Sequence, residues 1–73
     1  MSKYTAEITE GNVSISRNGI WACDGRLDTV CLERGEAHIV DAEAPLGDDV
    51  FEALDDALTE AIANGKTSAS VTI

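Results

Sequence analysis

The chain has 73 residues, 44% hydrophobic and 26% charged, which describes one small globular domain and excludes a disordered chain or a second domain. Its longest apolar runs are three or four residues, far short of the ~20 needed to span a bilayer, and Lys3 is followed by alternating residues where a signal peptide would be apolar. Fourteen acids against five bases give a net charge of −9, which repels DNA and anionic membranes and attracts cationic surfaces.

From Lys3 to Thr9 the residues alternate, with Tyr4, Ala6 and Ile8 on one face, as in a strand buried on one side. Glu10-Gly11-Asn12 has turn chemistry, and Val13 to Arg17 alternates again. Asn18-Gly19 between two such runs predicts a tight hairpin, since both residues tolerate the positive φ of a type I′ turn. Ile20 to Cys23 then runs back, with Trp21 on the face opposite Ile20 and Ala22, and Asp24-Gly25 turns once more. Thr29 to Glu33 and Ala37 to Asp41 read as two further strands around Arg34-Gly35.

Residues 42–47, with Pro45 and Gly47, read as a loop. A helix follows over 48–64, capped by Asp48 or Asp49, with capping-box spacing to Glu52, a Leu46–Phe51 staple and a stop at Gly65. At 100° per residue Val50, Phe51, Leu54, Ala57, Leu58, Ala61 and Ile62 share an arc of about 140°. Asp48, Asp49, Glu52, Asp55, Asp56 and Glu60 fall on the opposite arc. Thr67 to Ile73 alternates as a last strand, with Ala69, Val71 and Ile73 toward the core. The fold class is α+β over residues 1–73: an antiparallel meander at 3–41, one amphipathic helix on one sheet face, and a C-terminal strand. About four to six short strands are expected.

The charge is uneven. Residues 1–34 carry five acids and four bases, whereas residues 35–65 carry nine acids and no Lys or Arg. The five bases Lys3, Arg17, Arg26, Arg34 and Lys66 form no stripe, so direct nucleic-acid binding is not expected. Asp49, Glu52, Asp56 and Glu60 stand three or four positions apart, and consecutive carboxylates rise about 4.5–6 Å along a helix. DNA carries a phosphate about every 3.4 Å per strand, a comparable linear density. Such a row can occupy Lys and Arg groups that otherwise hold a phosphate backbone, and Glu36, Asp41, Glu43 and the second-row Asp55 would widen it. The competing readings are a solvated helix face that serves solubility and an adaptation to high salt.

Other chemistry is weakly signalled. Cys23, Cys31 and His38 match no metal or redox spacing, so no catalytic or metal-ligating residue and no cofactor is assigned. A Cys–His nucleophilic pair would lack an orienting group. The acids of 48–56 lie on a helix, where calcium-loop spacing does not apply. Trp21 on the open sheet face could anchor a partner.

In size, charge and the layout of Asp48, Asp49, Glu52, Asp55, Asp56 and Glu60, the chain resembles the small acidic inhibitors of phages and mobile elements, among them DNA-mimic anti-CRISPR proteins. The likeness rests on no sequence motif. It implies a non-enzymatic inhibitor in the bacterial cytoplasm, acting as monomer or homodimer on a basic nucleic-acid-binding complex such as a CRISPR surveillance complex. The alternative is a small accessory subunit that binds by sheet-edge pairing.

Overall fold

The computed structural model describes residues 1–42 and 46–73. Part of the expected loop, including Pro45, therefore lies outside the described residues, as does Glu43. In chain order the elements are β1 (Lys3–Thr9), β2 (Asn12–Arg17), β3 (Ile20–Leu27), α1 (Thr29–Glu33), β4 (Ile39–Val40), α2 (Asp48–Ala63) and β5 (Ser68–Thr72). The strands form one antiparallel sheet in the order β4-β3-β2-β1-β5, so α2 carries the chain from one edge to the other.

Two tight turns build the centre of this sheet. Glu10 and Gly11 have φ of 51° and 82°, and Asn18 and Gly19 have 52° and 83°, the left-handed pairs that a type I′ hairpin needs. Asn18 is held further by its side chain, whose Oδ1 accepts the Lys3 amide at 2.9 Å. The core lies between one sheet face and α2. Tyr4, Ala6, Val13, Ile15, Cys23, Leu27 and Ile39 meet Val50, Leu54 and Leu58 there. Ile8, Ala69, Val71 and Phe51 close its margins, together with Leu46. Ile73, expected in the core, is 42% exposed at the sheet end.

Three strand expectations are corrected. Asp24-Gly25 forms no turn, because β3 continues to Leu27 and pairs Asp24 with Ser14 and Gly25 with Val13. Gly25 serves instead for close approach: a Cβ there would lie 3.1 Å from Ala42 Cβ and 3.2 Å from both Ile39 Cγ2 and the Val40 carbonyl. Within β3 the register shifts, Ile15 pairing with Cys23 and Ser16 with Trp21, so that Ala22 is the extra residue of a bulge. The bulge reverses the phase. Trp21 stays on the open face, and Cys23 two residues later faces the core.

Thr29–Glu33 is a helical turn and not a strand. The Asp28 carboxylate caps it by accepting the Val30 and Cys31 amides at 2.9 and 3.0 Å. At the other end Gly35, with φ of 79°, lets its own N–H reach the Leu32 carbonyl and that of Glu36 reach Cys31, a Schellman closure. The expected strand 37–41 shrinks to Ile39–Val40, where Asp41 at φ 56° turns the chain away.

α2 ends in the same kind of closure, with Gly65 at φ 73° and the Lys66 amide on the Ala61 carbonyl at 2.8 Å. Its start differs from expectation. Gly47 is the N-cap and no side chain among the described residues caps it, so Asp48 and Asp49 lie inside the first turn. There the positive end of the helix dipole stabilises both charges without a capping hydrogen bond.

Two outcomes follow for stability. Gly25→Ala should cost about 1–3 kcal/mol by overpacking against Ala42 and Ile39, read as a lower urea midpoint at unchanged m. The Asp28 carboxyl is held below its ordinary value of 3.8, first by the Cys31 amide. A depressed folded value means stabilisation that is present above the unfolded pKa and lost as pH falls through the folded one. The amide-exchange protection of Val30 and Cys31 should therefore persist from neutral pH down past the ordinary value of 3.8 and fail only as the pH falls further, and Asp28→Ala should remove it at all pH.

Candidate functional site: the acidic face of the long helix

Four apolar positions, Val50, Leu54, Leu58 and Ala61, fix the rotation of α2 by burying one side of it. The opposite side then has to face water. Asp48, Asp49, Glu52, Asp56 and Glu60 are all exposed there, and among the described residues none of the five enters an ion pair. From Asp48 to Glu60 the axis advances about 18 Å, one carboxylate per ~4.5 Å.

Asp55, expected on the same arc as a second-row residue that widens the patch, is withdrawn from it. It sits on the border of the apolar side, and its carboxyl is 18% exposed. Oδ1 accepts the Ile39 amide at 2.8 Å, and Oδ2 lies 2.9 Å from His38 Nδ1. One turn later Thr59 Oγ1 accepts the Ala37 amide at 2.9 Å and donates to the Asp55 carbonyl at 2.8 Å. Two helix side chains thus hold the backbone of 37–39. Asp55 is a structural residue, and His38 and Thr59 are its partners. The i, i+4 spacing of Asp55 and Thr59 on one border of the apolar arc was the available signal for this clasp.

The remaining expected positions divide. Asp41 is engaged with the Arg26 guanidinium, an ion pair whose side chains are 63% and 58% exposed. Even so, Asp41 shares a shallow groove of about 410 Å³ with Asp48, Glu52 and Asp55, floored by Ile39, Val40 and Phe51. Glu36 is exposed and lines a second recess, about 460 Å³, with Cys31, His38, Asp55 and Asp56. The fold therefore brings Glu36 and Asp41 to the flank of the acidic helix. Trp21 is elsewhere. It is 62% exposed, its indole N–H donates to Asp24 Oδ1 at 3.0 Å, and it occupies the sheet face turned away from α2.

Cys31, His38 and Asp55 all line the second recess, where His38 and Asp55 are the hydrogen-bonded pair, an arrangement the sequence spacing alone did not indicate. The thiol is poorly suited to nucleophilic use. Desolvation pushes the Cys31 thiol up, and the neighbouring Asp28 and Glu36 carboxylates add to it. Burial, then Asp24, does the same to Cys23. Among the described residues no three His, Cys, Asp or Glu side chains are grouped to hold a metal ion, and no helix is long and apolar enough to cross a membrane.

No protein-family model, curated protein or solved structure matches this chain significantly.

The two classes of acid are separable by substitution. Asp55→Ala leaves the Ile39 amide without its acceptor and should cost about 1–3 kcal/mol in urea denaturation. Thr59→Val should behave alike and couple with it in a double-mutant cycle. Asp56→Asn and Glu60→Gln, which touch no described partner, should stay within about 0.5 kcal/mol of wild type.

Proposed function

We propose that this chain is a non-enzymatic inhibitor whose exposed carboxylates on α2 occupy a Lys/Arg-lined nucleic-acid-binding surface of a larger complex, in the manner of a DNA mimic. The observation that carries this reading is the unopposed row Asp48, Asp49, Glu52, Asp56 and Glu60 on a single rigid helix. A phosphate strand offers one charge per ~3.4 Å and this row one per ~4.5 Å, so cationic groups spaced for the first can meet the second. The row advances about 18 Å along a helix of about 24 Å, in a molecule whose longest extent is 31 Å.

Stability alone does not account for the row. Asp48 and Asp49 sit where the helix dipole welcomes them, but Glu60 lies near the negative end, with no base in the last turn. Each i, i+4 pair of acids is also mutually repulsive. Glu36 flanks the row and extends its field, Asp41 flanks it with its charge offset by Arg26, and Asp55 contributes charge without a free face. Opposite fields steer such an encounter, and the apolar floor of the groove, Ile39, Val40 and Phe51, suits the aliphatic stem of an approaching Arg or Lys. The working location is the bacterial cytoplasm, and a CRISPR surveillance complex is the target class implied by the resemblance in size and charge.

The test is capture from bacterial lysate on tagged protein, with duplex DNA as competitor. A nucleic-acid-handling complex should be retained at low salt and released either by duplex DNA or when the Debye length falls from ~10 Å toward ~3 Å. Asp56→Lys with Glu60→Lys should retain the wild-type circular dichroism and lose the capture. A captured complex that still binds DNA at full occupancy of the inhibitor would sink the mimic reading.

A further inference from the structure

The two edges of the sheet are guarded unequally. At β4 the strand is two residues long, Asp41 turns the chain away, and Thr59 and Asp55 take up the amides of Ala37 and Ile39. Short edges with occupied donors are the usual defence against strand addition. Among the described residues β5 has no such defence. It is five residues long, and the stretch 67–73 contains no charged side chain and no proline.

The phase of the β1–β5 ladder shows which groups are free. Ser2 and Ile73 exchange both backbone hydrogen bonds, at 2.8 and 2.9 Å, and the Ile8 amide reaches the Thr67 carbonyl at 2.7 Å. In an antiparallel ladder such pairs recur every second residue. Val71 and Ala69 therefore direct their backbone groups at β1, and Ser68, Ser70 and Thr72 direct theirs away from the sheet. Three N–H and three C=O groups line the open edge. The side chains of Ser68, Ser70 and Thr72 stand on the solvent face, and those of the half-buried Ala69 and Val71 on the face of α2.

We propose that β5 is a homodimerisation edge, two copies pairing antiparallel with Ser70 opposite Ser70 on a two-fold axis. In that register Ser68 lies opposite Thr72 of the second copy, so each of the six outward groups finds its complement. Ala69 faces Val71 of the second copy, apolar against apolar, and the hydroxyl side chains meet hydroxyls. The edge is thus self-complementary on both faces, the requirement of an isologous contact. A groove of about 260 Å³ between α2 and β5 opens beside the same edge, lined by Ala57, Ala61 and Ala69 but also by Glu60, Asn64 and Lys66, so the second strand would meet a mixed surface there.

A strand of this length extends about 17 Å, so the interface falls at the small end of the range and the dimer is weak. Its salt response has a definite sign. The paired strand Ser68–Thr72 carries no charged side chain, and two bodies of −9 repel at long range, so added salt should strengthen the dimer. Capture of a cationic target has the opposite dependence, and neither proposal stands or falls with the other.

Sedimentation equilibrium from about 10 μM to about 1 mM, at low and at high salt, tests the idea. The expected result is a monomer–dimer equilibrium that shifts toward dimer as salt rises. Ser70→Glu and Ser70→Lys each place like charges across the axis and should weaken dimerisation at least about tenfold, a loss of ~1.4 kcal/mol. An equimolar mixture of the two should recover it as a heterodimer in native mass spectrometry. In the wild type, amide protection at Ser68, Ser70 and Thr72 should rise with concentration, a readout that needs no variant. A monomer throughout the range, a dimer indifferent to both substitutions, folded variants that do not recover on mixing, or protection independent of concentration would each overturn the proposal.

Discussion

One clasp decides how the rest of this molecule is arranged. Asp55 and Thr59, one turn apart on α2, hold the amides of Ile39 and Ala37 and so fasten the segment between the two helices to the side of the long one. A two-residue strand has too few ladder bonds to stay in place by itself. With the clasp, β4 closes the sheet, Ile39 and Ala37 enter the core, and α2 acquires a fixed lateral position over the sheet. Its buried stripe of Val50, Leu54 and Leu58 then sets its rotation. The exposure of the five remaining helix acids follows from these two restraints together.

The same helix therefore carries two kinds of carboxylate with different physical duties. Asp55 is bonded and mostly shielded, and its removal is a structural event. Asp48, Asp49, Glu52, Asp56 and Glu60 contribute field and almost no contacts. A domain of 73 residues has a limited core with which to offset self-repulsion, and concentrating the repulsion on one surface still leaves that offset to the same few side chains. Leu54 and Leu58, both fully buried, hold a disproportionate share of it.

Much of this was legible in the sequence, where a period was sustained. β1 and β2 emerge from alternation, the Asn18-Gly19 hairpin from its turn chemistry, and α2 from a run of four buried positions spaced for a helix. The failures come where a local pattern was overruled by something outside it. Thr29–Glu33 has a strand-like composition, but Asp28 and Gly35 supply both ends of a helical turn, and with Val30 and Leu32 exposed no sheet neighbour competes for it. Asp24-Gly25 has turn chemistry, but the segment around Ile39 needs a residue without a Cβ to pack against. The bulge at Ala22 is invisible to any reading of alternation, because it changes the phase within a continuous strand. Of the candidate site, the five exposed acids were readable from helical periodicity. The withdrawal of Asp55 was not, since it depends on a backbone segment 16 residues away in the chain.

The pairing of β1 with β5 has a further consequence in chain entropy. The two inner hairpins close loops of two residues, whereas the β1–β5 ladder joins Ser2 to Ile73 across nearly the whole chain. Loop-closure entropy grows only logarithmically, so this long closure costs about 3 kcal/mol more than a short hairpin. That difference is offset by α2 and not by the ladder itself, because the helix delivers β5 to its place and packs over it. β5 is consequently the strand whose undocking releases the most conformational freedom, and the local opening of this fold is weighted toward the one edge that is not already short and tied down.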